Sequence, residues 1–159
     1  MMHTQKIPMK ELAELILLQL ETSGQATLTV TGYSMRPTLH ERRDSVILNL
    51  PASRQKAGDI ILYLRENGQY VLHRIIETAE EGYICSGDNQ VMQEPVSHSQ
   101  VLAVVSGICR KGKRYPADSL GCRLYAAMCV GMFPVRKYYI ALRRRLGRLR
   151  RKLFGKKHV

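Results

Sequence analysis

The chain has 159 residues, 45% of them apolar, with 25 Lys and Arg against 13 Asp and Glu, a net charge of +12. All 13 acids lie at or before Asp118, so residues 1–135 set 14 basic side chains against them while 11 more stand unopposed in 136–159. A chain-wide basic surface is thereby excluded, and the pI near 9.9 describes the tail. Zinc-finger chemistry goes too. Cys85, Cys109, Cys122 and Cys129 form no C-x-x-C pair and no Cys/His cluster of zinc spacing, so reduced thiols and no metal or cofactor are expected.

In chain order, residues 8–22 predict a helix. Pro8 suits its first turn, Leu12, Leu15, Ile16, Leu18 and Leu20 make an apolar face, and Gly24 ends it. The segment is too short and too charged to span a bilayer, and the N-terminus lacks the pattern of a cleavable signal peptide. Strands are predicted at 26–31, 44–50, 60–64, 69–76, 83–85 and 100–108. Asn67-Gly68 supplies the hairpin turn between the third and fourth. Short strands with turn signals every 8–15 residues predict a mainly β domain, a coiled, barrel-like sheet over 25–116, preceded by a helical segment 1–24.

After Pro116 the pattern changes. Residues 119–142 read as helical and apolar, with an uninterrupted apolar run of 12 residues, Leu124 to Val135, and a kink expected at Pro134. A spanning helix needs about 20 apolar residues. The basic cluster beyond the run, Arg143 onward, is the pattern of a membrane-surface anchor. Residues 117–159 are therefore expected to form a helical, basic extension that holds the protein on a membrane, peripherally or as a single C-terminal anchor. An ordinary helix with a solvated basic tail on a cytoplasmic protein is the alternative. No aromatic-and-basic stacking platform points to nucleic acid.

Three residues carry candidate chemistry. Ser34, in Gly32-Tyr33-Ser34-Met35-Arg36-Pro37, falls where a strand ends and the chain turns, with backbone N–H groups nearby for an oxyanion. His73 lies mid-strand, with Val71, His73 and Ile75 expected on one face and Tyr70, Leu72, Arg74 and Ile76 on the other. Asp88 lies in the loop Gly87-Asp88-Asn89. A neutral imidazole takes a proton from a serine hydroxyl, and a carboxylate holds its tautomer. Each residue also has a plain structural reading, as turn serine, core histidine and loop aspartate, and spacing alone does not bring the three together.

Gly32-Tyr33-Ser34-Met35-Arg36-Pro37-Thr38-Leu39, Gly58-Asp59-Ile60-Ile61, His73-Arg74-Ile75-Ile76 and Gly87-Asp88-Asn89 resemble, in order, the four boxes of the type I signal peptidases. The first box also looks like that of the LexA-type self-cleaving peptidases. The resemblance covers about residues 26–108. It implies a serine endopeptidase that cleaves leader or signal-type peptides of a preprotein, with Ser34 as nucleophile and His73 as general base, as in the histidine-containing endoplasmic-reticulum and archaeal subtype. For the acid, it maps one aspartate onto Asp88, the favoured partner, and a second onto Glu94, the rival. Asp59 is implied to be structural.

Three departures stand out. Gly32 occupies the place where the family often has an oxyanion-assisting serine, which leaves the Ser34 N–H and Thr31, with Met35 beside them, to line the oxyanion and substrate site. Glu94 replaces an aspartate. The candidate anchor is C-terminal, where the family has an N-terminal span. The alternatives are a self-cleaving LexA-type regulator, for which the only upstream bond of suitable kind is Ser23-Gly24, and a catalytically inactive peptide-binding module of the same fold.

Overall fold

Helix α1, Met9–Ser23, forms where predicted and buries part of the expected face. Ala13, Ile16 and Leu20 face inward at helical spacing, whereas Leu15 and Leu18 are exposed. The computed structural model describes residues 9–154. Pro8 and the end of the basic tail lie outside the described residues. Gly24, at φ +71°, donates to the Leu20 carbonyl at 2.9 Å, the left-handed cap that ends the helix.

Eight strands follow: β1 Gln25–Thr29, β2 Asp44–Asn49, β3 Ile60–Leu64, β4 Tyr70–Thr78, β5 Gly82–Ser86, β6 Glu94–Ser97, β7 Val101–Arg110 and β8 Lys113–Pro116. They form one antiparallel sheet in the order β1-β2-β7-β3-β4-β5-β6, with β8 added to β7. The barrel-like expectation is corrected to an open sheet. At one end stands β6, four residues long and carrying Pro95, as suits an edge. Register shifts at Ile47/Leu48, Leu62/Tyr63 and Ile75/Glu77 bend the sheet.

Two strands went unpredicted. β6, Glu-Pro-Val-Ser, is too polar and too short to read as one. β8 is exposed along its length and hairpins back on β7 through Lys111 and Gly112, both at positive φ.

Strand alternation separates two cores. Ile60 and Leu62 pack with α1, β1, β2 and β7, while Ile61 and Tyr63 pack with Ile75, Tyr83, Cys85 and Val96 on the opposite face. On β4, His73 is in register with Ile61 and Arg74 with Ile60, so these sequence neighbours face opposite cores.

The predicted helical segment after Pro116 is two helices, α2 Leu120–Gly131 and α3 Arg136–Phe154, joined by a 3-10 turn, Phe133–Val135, that contains Pro134. No helix among the described residues is long and apolar enough to cross a membrane. All four cysteines are free thiols.

Candidate active site

The Ser34 turn is held from two sides. β1 pairing runs on past Thr29, with the Val30 N–H on the Asp44 carbonyl at 3.0 Å and the Arg42 N–H on the Val30 carbonyl at 2.9 Å. Gly32, at φ +88°, then turns the chain out of the sheet. At the far end Asp44, fully buried, binds Arg43, Arg110 and the His40 N–H. Burial pushes its carboxyl up, but these hydrogen bonds outweigh it and hold it well below the ordinary carboxylate range. Arg110 also donates to the Thr38 carbonyl at 2.6 Å, tying β7 to the turn.

The second clamp is the loop after β5. The Asn89 N–H donates to the Ser34 carbonyl at 2.7 Å. Gly87 lies so close that a Cβ there would stand 2.6 Å from the Ser34 carbonyl oxygen and 3.0 Å from Ser34 Cβ. The glycine of this box is thus required by contact with the serine's own backbone.

Asp88 does not meet His73. Its carboxylate is buried and takes Arg74 at two points, Nε at 2.8 Å and Nη2 at 2.7 Å, and it accepts from the Thr38 hydroxyl. Arg74 also donates to the Gly58 carbonyl at 2.7 Å. All four boxes therefore meet in one buried polar network: the Thr38 end of the serine turn, the Gly58 turn and the Asp88 loop are joined through Arg74 of the His73 box. Burial lowers the pKa of Arg74, but the Asp88 hydrogen bonds more than restore it, so the guanidinium stays charged. Asp59 lies outside this network: its carboxylate accepts the Lys56 N–H at 2.8 Å and its carbonyl the Ile75 N–H at 2.9 Å.

The carboxylate on the imidazole belongs to Glu94. Its Oε1 is 3.0 Å from His73 Nδ1. Register explains the meeting, because Glu94 pairs with Cys85 and Cys85 with Ile75, which puts Glu94 on the His73 face of the sheet two strands away. Two residues that sequence reasoning missed complete the group. The buried Tyr63 hydroxyl donates to Glu94 Oε1 and lies 3.1 Å from His73 Nδ1. Arg65 grips Glu94 with Nε at 2.7 Å and Nη2 at 2.8 Å. The signal that could have found them is period two, since Ile61, Tyr63 and Arg65 alternate on the face where His73 was placed.

Burial pushes the His73 pKa below its ordinary value, and Glu94 only partly opposes this, so the ring is neutral at neutral pH. Burial raises Glu94, yet Arg65 and Tyr63 bind it strongly enough to keep it below the usual glutamate range. An ionised Glu94 accepts Nδ1–H, which leaves Nε2 as the proton acceptor.

Ser34 and His73 line one cavity of about 240 Å³, together with Thr31, Gly32, Met35 and Arg65. Met35 is also a core residue, 2% exposed, so it shapes the cavity from below. Asp88 is absent from the lining. Among the described residues Ser34 Oγ has no hydrogen-bond partner, whereas catalytic hydrogen bonds often tighten only once substrate is bound. Residues 70–73 of β4 pair with β3 on one side and with no described strand on the other, so their backbone borders the cavity with free hydrogen-bonding groups. No group of three or more potential metal ligands occurs among the described residues.

Comparison of the chain with models of known protein families, with curated proteins and with solved structures finds no match in any of the three. The chemistry of the cavity therefore rests on its own geometry.

Proposed function

We propose that the chain is a serine endopeptidase of the signal-peptidase kind, using Ser34 and a histidine base. The observation that carries this reading is a cavity lined by both Ser34 and a buried, neutral His73 whose Nδ1 is held by an ionised Glu94. Ser34 Oγ attacks a peptide carbonyl as His73 Nε2 takes its proton. Glu94 stabilises the imidazolium that forms, as the carboxylate does in other Ser/His peptidases. His73 then returns the proton to the leaving amine, and water hydrolyses the acyl-enzyme by the same route. The oxyanion faces the Ser34 N–H, with Thr31 beside it. Asp88 acts in this scheme as the support of the serine turn.

An extended peptide fits beside the unpaired edge of β4, gaining backbone hydrogen bonds as an added strand. A cavity of about 240 Å³ favours small side chains at the bond to be cut. Leader-type peptides have this character. A peripheral membrane location belongs to the same proposal, since such substrates emerge at membranes and the chain ends in a polycation.

The bare Ser34 hydroxyl and the missing serine at position 32 favour one second reading, an inactive peptide-binding module of the same fold. A fluorophosphonate distinguishes the two. Active protein is labelled on Ser34, and Ser34→Ala and His73→Ala lose the label while keeping the wild-type circular dichroism. Intact wild-type protein that takes no label, and cuts no peptide ending in small residues, overturns the peptidase reading.

A further inference from the structure

Helices α2 and α3 present a surface that the cavity chemistry does not use. Along α2, Leu120, Leu124 and Met128 recur every fourth residue, and along α3 so do Tyr138, Leu142 and Leu146. All six are large, apolar and between 48% and 74% exposed. The opposite side of α2 is occupied: Cys129 is buried, and the Tyr125 hydroxyl is in hydrogen-bonding range of Thr38. The root of α3 is fixed as well. Arg136, 6% exposed, donates to the Gly87 carbonyl at 3.0 Å and the Cys129 carbonyl at 2.7 Å. Both apolar rows are therefore left exposed, while Arg136 ties the junction of the two helices to the body.

Charge selects what covers them. Lys137, Arg143, Arg145 and Arg148 are exposed beside the α3 row, and no acid follows Asp118. A second copy of the same face would set polycation against polycation. A nucleic acid would meet the charge but leave six apolar side chains in water. An anionic bilayer meets both, with apolar side chains entering the acyl boundary and guanidinium groups at the phosphates.

We propose that α2 and α3 together form the seat of this protein on an anionic lipid surface, both helices lying in the plane of the interface. Through Arg136 the seat is tied to the Gly87 loop, and through that loop to Ser34, so docking holds the serine turn at a set orientation to the bilayer. The inference rests on the peripheral location proposed above and is independent of the peptidase chemistry.

Vesicle flotation of the full chain tests it, with phosphatidylcholine alone and with phosphatidylcholine containing a minority of phosphatidylglycerol. The protein is expected to float with the anionic vesicles and remain behind with the neutral ones. Leu142→Glu/Leu146→Glu, which alters exposed positions only, should weaken anionic binding by about tenfold or more, with circular dichroism and melting unchanged. Ser34→Ala should float as wild type does, so a failure of docking and a failure of catalysis read out separately. No flotation with anionic vesicles at low salt overturns the proposal. So does equal flotation of the double variant, or a dimer or DNA complex that the same variant disperses in place of vesicle binding.

Discussion

Glu94 Oε1 lies 3.0 Å from His73 Nδ1, and the same carboxylate is gripped by Arg65 and Tyr63. Removing its charge takes away the largest influence that raises the His73 pKa, against burial, which lowers it. Glu94→Gln should therefore move the acid limb of the kcat/KM profile to still lower pH. With the tautomer no longer held, kcat should fall by about 10²–10⁴. A pH series of fluorophosphonate labelling or of peptide cleavage checks both. Asp88→Asn should shift that limb less, because Asp88 contributes least among the groups acting on His73.

The same imbalance sets a sign for stability. The folded pKa of His73 lies below the ordinary 6.5, so the unfolded chain binds the extra proton first as pH falls. The contribution of the neutral ring is fully present above 6.5 and is lost as pH drops through the lower folded value. Urea unfolding at successive pH values should show wild type losing stability across that window. A His73→Gln variant should show a shallower loss there.

Asp88 and Arg74 form a buried pair, with side chains 1% and 3% exposed. Asp88→Asn leaves the Arg74 guanidinium charged and uncompensated, at a cost of about 3–5 kcal/mol. Glu94→Gln, at a partly exposed carboxylate, should cost far less. Denaturant titration of the two variants gives the comparison. If Glu94→Gln proves the more destabilising, the roles assigned to the two acids are reversed.

Two glycines at the serine turn should fail for different reasons. A Cβ at Gly32 meets nothing within 4 Å, but the residue sits at φ +88°, so Gly32→Ala should cost about 1–3 kcal/mol from conformation alone. The same φ disfavours a serine there, so Gly32→Ser should add no rate. Gly87→Ala has no such backbone penalty, but its methyl would be driven into the Ser34 carbonyl. It should lower labelling of Ser34 by about 10²-fold, since displacements of about 1 Å cost that much in positioned chemistry. Melting temperature and labelling rate, measured on both variants, separate the two effects.

Much of the architecture was legible from local patterns. Alternation along Tyr70–Ile76 placed His73 and Arg74 on opposite faces, turn residues marked the hairpins, and Pro134 marked the break between α2 and α3. Such features depend on neighbours within a few residues, so the amino-acid order alone determines them. The partner of the imidazole was of another kind. Asp88 and Glu94 are six residues apart in the chain, and both stood as candidates by resemblance. Which of them reaches His73 depends on the pairing of β6 with β5 and of β5 with β4, and β6 carries no strong strand signal because it is short, polar and contains Pro95. The close approach of Gly87 to Ser34 and the anchoring of Arg136 on the Gly87 carbonyl likewise join residues 49 or more positions apart. Amino-acid order therefore specifies a β domain with a serine at a turn, a histidine on a strand and a basic helical end. Which acid faces that histidine is settled by the fold, because long-range register is set by the packing of the whole sheet.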